Sequence, residues 1–189
     1  MSGHQNALEF PFSYREGQRK MVSSVYHAIG ASRQIFIQAP TGVGKTMSTI
    51  FPAVRAVGEG KGETIFYLTA KTITRTVAQE AFEVLREKGM KYKVVTITAK
   101  EKLCFMDETK CDPVHCPYAR GHFDRVNDAV YELWTTKSRY DRETIREQAE
   151  KWQVCPFEMC LDLSVWVDAV ICDYNYAVSY THLTLPTIA

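Results

Sequence analysis

The chain has 189 residues, 46% of them hydrophobic and 24% charged, with a formal net charge of +1. These values fit one ordinary globular core with room for a small insertion. No apolar run approaches membrane-spanning length, and Met1 to Asn6 lacks the basic-then-apolar pattern of a leader, so the expectation is a cytoplasmic chain with no membrane partner. Six cysteines in that compartment argue against disulfides, and for metal or cluster ligation or plain buried thiols.

In chain order, Phe10 to Gln18 is an aromatic-rich lead. A helix follows, with Met21, Val22, Val25, Tyr26 and Ile29 on one face and Gly30 as its stop. Ile35-Phe-Ile37 has the character of a short buried strand, and Ala39-Pro-Thr-Gly-Val-Gly-Lys-Thr46 reads as a phosphate-binding loop running into a helix. Gly42 and Gly44 would let the backbone turn tightly, so that successive N–H groups of Ala39, Pro40, Thr41, Gly42, Val43 and Gly44 (Pro40 excepted) could face an anion. Lys45 would reach the β- and γ-phosphates, the Thr46 hydroxyl would ligate magnesium, and the next helix would add its positive end. Ala39 stands where the strict pattern has its first Gly.

Met47, Ile50, Phe51 and Val54 continue a helix, with a kink expected at Pro52, and residues 58–62 form a loop. Thr64–Thr69 is the next strand, and Thr72–Lys88 a helix with Val77, Ala78, Ala81, Phe82 and Leu85 inward. Tyr92–Thr98 is another strand, so alternating strands and helices predict a parallel α/β sheet. Residues 69–100 carry seven Lys/Arg against three Glu, either a nucleic-acid-facing strip or a solvated helix face.

The pattern then changes, with no apolar strand between Ala99 and Gln153. Phe123, Val126, Ala129, Val130, Leu133 and Trp134 have helical spacing, a second helix is expected over Arg142–Trp152, and Val165–Asp173 returns to strand character. Cys104, Cys111, Cys116 and Cys155 fall in or just beyond this stretch, without a C-x-x-C, and Cys116 and Cys155 each precede a Pro. The residues alone leave three readings open: a 4Fe–4S cluster, a zinc site of three cysteines with His115, or unligated thiols.

Taken together, Ala39–Thr46 resembles motif I of superfamily 2 helicases. Arg15 and Gln18 resemble their adenine-recognising Q motif, a job suited to an amide that both donates and accepts. Leu103-Cys104, Cys111, Cys116-Pro-Tyr and Cys155-Pro-Phe157 are similar to the four ligand positions of the iron–sulfur XPD/DinG family. Tyr67–Thr72 resembles that family's motif Ia, which implies DNA contacts at Thr69, Lys71, Thr72 and Arg75. Ile171–Tyr176 looks like the strand preceding its Asp-Glu-Ala-His motif, so Asp173 is not read as the magnesium aspartate. Cys160 and Cys172 match no ligand position and are expected to be buried thiols.

The resemblance implies a RecA-like parallel sheet over 1–98 and 161–178, with a mainly helical iron–sulfur insertion over 99–160. It also implies ATP, magnesium and a 4Fe–4S cluster as bound groups, with single-stranded and forked DNA as partner. It implies a monomer at full length. The acidic motif and the second RecA-like domain do not appear, which points to the N-terminal part of a helicase that would bind ATP without hydrolysing it. From about Ser179 the tail departs from the family and resembles adapter read-through. The rival expectation is a P-loop NTPase or kinase with a zinc module.

Overall fold

A computed structural model describes residues 8–70 and 72–179. Two helices come first, α1 (Gln18–Gly30) and α2 (Lys45–Gly58). Then β1 (Ile65–Thr69), α3 (Thr72–Glu87) and β2 (Val94–Thr96) alternate, and the short α4 (Lys100–Leu103) ends at Cys104. The remainder is α5 (His122–Thr136), β3 (Arg139–Tyr140), α6 (Arg142–Trp152), α7 (Pro156–Ser164), β4 (Ala169–Asp173) and α8 (Tyr174–Ser179). None of the described helices is long and apolar enough to cross a membrane.

The four strands form one parallel sheet in the order β1-β4-β2-β3. The last of the described strands, β4, therefore lies between β1 and β2, with Ile65 paired to Ala169 on one side and Val94 to Ala169 on the other. A strand covered on both faces must be apolar throughout, and Ala169-Val-Ile-Cys172 is fully buried.

Side-chain alternation divides the core in two. Val94, Ala169 and Ile171 face a cluster built from α1, α2 and α3, including Val22, Ile50, Phe51, Val54, Ala78, Phe82 and Leu85. Val95, Val170 and Cys172 face the other way, into Leu103, Val126, Ala129, Leu133, Ile145, Ala149, Phe157 and Leu163. The helical segment after Ala99 thus forms the second layer of an α/β sandwich. Its apolar core is shared with the sheet, so its packing is supplied by buried side chains.

Several expectations change. Ile35–Ile37 forms no strand and is exposed, Phe36 to 93%. A strand needs a neighbour for its N–H and C=O groups, and among the described residues no strand lies beside it. β4 starts at Ala169, leaving Val165 and Trp166 in the exposed turn before it. Val77 and Phe123 face solvent, although their helices form where periodicity places them. The two-residue β3 and the helix α7 were not expected. Lys71 and the tail from 180 lie outside the described residues.

Candidate functional site: a phosphate loop and the cysteine-bearing turns

Gly42 and Gly44 have φ of 89° and 79°, the left-handed region where glycine alone is unstrained. Gly44 is the N-cap of α2, so the loop reverses directly onto a helix N-terminus. The Lys45 ammonium bridges the loop, donating to the carbonyls of Ala39 at 3.1 Å and Pro40 at 2.9 Å. Arg15 donates to the Gly42 carbonyl. Thr46 is half-buried in the first turn of α2.

Gln18 sits against this loop. It is buried, its Oε1 accepts from the Arg15 N–H at 3.0 Å, and a Cβ built on Gly44 would stand 2.7 Å from its Nε2. Its carbonyl thus closes the turn before α1, and its amide packs against the loop. An open cavity of about 610 Å³ runs alongside, between Gly17, the N-cap of α1, with Lys20 and Met21 of α1, and the segment Phe36–Pro40. Glu16, Lys20 and Phe36 also line it, with no local motif to mark them.

Part of the basic stretch 69–100 is engaged internally, while Lys88 and Lys91 are exposed. Arg75 donates to the Ile97 carbonyl at 3.2 Å. Arg86 donates to Tyr92 and Ser138 carbonyls and to the Ser138 hydroxyl. Lys93 donates to Trp134 and Lys137 carbonyls, and Lys100 pairs with Glu158 at 3.6 Å. Four of the seven cations are therefore engaged within the fold, three of them beside the sheet and Lys100 between α4 and α7. Thr69 is buried as well, its hydroxyl donating to the Cys172 carbonyl at 3.4 Å.

Three arginines hold the cysteine-bearing turns by their backbone carbonyls. Arg146 donates to Leu103 at 2.6 Å and to Cys104 at 3.1 Å. Arg120 donates to Pro113 at 3.0 Å, beside the turn in which the Cys116 N–H bonds the Asp112 carbonyl. Arg125 donates to Trp152 at 2.9 Å and to Gln153 at 2.6 Å. Cys155 is the N-cap of α7. Burial pushes its thiol up in pKa, and the Glu158 and Phe157 N–H groups, with Lys100, only partly oppose that. Burial also works against the charge on Lys100, but Cys111, Glu158 and Cys155 outweigh it and its pKa rises.

All six thiols are free. Burial pushes Cys160 up to about 12 and Cys172 up to about 11, the signature of inert core thiols. Among the described residues, no three His, Cys, Asp or Glu side chains stand close enough to hold a metal ion. The four expected ligands are thus not gathered into a ligand group. Cys111 and Cys155 both neighbour Lys100, and one buried imidazole nitrogen, His122 Nε2, has no partner among the described residues.

The model of the DEAD/DEAH box helicase family matches residues 15–118, from the Arg15 turn through the phosphate loop and β2 to the first three cysteines. The chain belongs to the DEAD/DEAH box helicase family. It is also similar to a probable ATP-dependent helicase of Methanocaldococcus jannaschii, 24% identical over 169 residues. That match covers 87% of this chain and 24% of the relative, so this helicase-family chain spans about a quarter of that protein's length.

Proposed function

We propose that the chain is the ATP-binding, iron–sulfur portion of a superfamily 2 DNA helicase of the XPD/DinG type. The observation that carries the nucleotide part is the loop itself: two left-handed glycines, a helix N-terminus directly after them, and a lysine spanning the turn. On nucleotide binding, Lys45 exchanges the Ala39 and Pro40 carbonyls for phosphate oxygens, a charge-assisted contact stronger than the one it leaves. The N–H groups at the start of α2 face the same anion, and Thr46 offers its hydroxyl to magnesium, which neutralises phosphate charge. Arg15 and Gln18 hold the loop to α1, and the cavity beside it gives the base a place to enter.

In this reading Cys104, Cys111, Cys116 and Cys155 hold a 4Fe–4S cluster, whose role is to bind these turns together. Thr69, Lys71, Thr72 and Arg75 mark where single-stranded or forked DNA passes. Because Thr69 and Arg75 are engaged internally, that contact runs chiefly through backbone and through Lys71.

Calorimetric titration with ATP–magnesium tests the first part: Lys45→Ala should abolish binding, and unchanged affinity would overturn it. Anaerobic purification tests the second. Bound iron with brown colour, lost on Ser substitution of any of the four cysteines but kept in Cys160→Ser and Cys172→Ser, supports the cluster. Stoichiometric zinc without iron would replace it with the zinc-module reading. His115 suits that outcome, since its Nδ1 lies 2.9 Å from the Asp112 carboxylate, the orientation by which carboxylates fix zinc-binding imidazoles.

A further inference from the structure

The first turn of α5 grips the loop that delivers Cys155. His122 and Arg125, three residues apart, share one helix face. Arg125 holds the carbonyls of Trp152 and Gln153. The Cys155 N–H donates to His122 Nδ1 at 3.2 Å. Residues 152–155 are therefore fixed at three backbone atoms by two side chains of a single helical turn. His122 itself is 4% exposed. With Nδ1 accepting, the ring proton sits on Nε2, and that N–H is buried without a partner among the described residues. A buried donor left unpaired is uncommon in native proteins.

We propose that His122 is the positioning residue for Cys155: its Nδ1 holds the Cys155 amide and so sets the direction of the thiol. Cys155 begins α7 ahead of Pro156, and proline fixes its own φ and restricts the residue before it. Holding the Cys155 amide from the other side leaves that residue few backbone choices. This inference rests on the metal-binding reading of the four cysteines.

The test compares His122→Asn, whose side-chain oxygen can stand near Nδ1, with His122→Gln, whose amide falls nearer Nε2. Iron per chain is measured after anaerobic reconstitution with ferrous iron and sulfide. In parallel, iodoacetamide labelling of the metal-free full chain is mapped by mass spectrometry, with the fully buried Cys160 as internal reference. The expected result is near-wild-type iron in His122→Asn and at least a fivefold loss in His122→Gln. Cys155 labelling should rise severalfold in His122→Gln only, with Cys160 unchanged in both. Equal iron and labelling in wild type and His122→Gln would overturn the proposal. So would equal losses in both variants, or Cys160 opening alongside Cys155, because His122 would then be a core prop. If wild type takes up no iron, the cluster reading fails. Selective Cys155 labelling in His122→Gln would still support His122 as the residue that positions it, and its absence would remove that role too.

Discussion

Gly44→Ala separates backbone strain from a close approach. The left-handed φ of 79° costs a non-glycine residue about 1–2 kcal/mol. A new Cβ would also stand 2.7 Å from Gln18 Nε2, and Gln18 is buried, so its amide has little room to retreat. Moving it disturbs the bond between Gln18 Oε1 and the Arg15 N–H, worth about 1 kcal/mol. The total is about 2–3 kcal/mol. Gly42 is the control, because its φ is 89° but nothing lies within 4 Å of a built Cβ, so Gly42→Ala should lose only about 1–2 kcal/mol. Urea unfolding at neutral pH reads both, through midpoints at constant slope. Equal losses, or a Gly44→Ala loss no greater than the Gly42→Ala one, would refute the packing of Gln18 against the loop.

Leu85 is fully buried between α3 and the sheet, so Leu85→Ala should cost about 2–5 kcal/mol in the same assay. Glu59 is held at about 2, chiefly by the hydrogen bond from Lys61 and then by that from Tyr26, against an ordinary value of 4.5. A depressed carboxylate adds stability above its unfolded pKa and loses it as pH falls through the folded one. The melting-temperature difference between wild type and Glu59→Gln should therefore be flat above pH 5 and shrink between 4.5 and about 2; a constant difference across that range would show that the ion pair is not the cause. For DNA, Lys71→Ala should weaken single-strand binding and reduce its salt slope. Arg75→Ala should chiefly lower stability, since its guanidinium ties α3 to the Ile97 carbonyl. A larger affinity loss from Arg75 than from Lys71 would reverse that assignment.

The amino-acid sequence by itself determined what depends on near neighbours. The 3.6-residue spacing of apolar side chains in α1, α2, α3, α5 and α6 marks those helices, because each turn buries one stripe whatever covers it. The glycines and lysine of the phosphate loop were equally legible, since their chemistry is confined to eight consecutive residues. Tertiary structure decided the rest. β4 enters between β1 and β2, strands that precede it by dozens of residues. Ile35–Ile37, apolar enough for a strand, remains unpaired because pairing depends on a neighbour that local pattern does not supply. Arg86, Arg125 and Arg146 reach carbonyls 52, 27 and 43 residues away. A guanidinium on a long stem finds its acceptor in space, so clamps of this kind, and the histidine beside Cys155, exist only once the helices have packed.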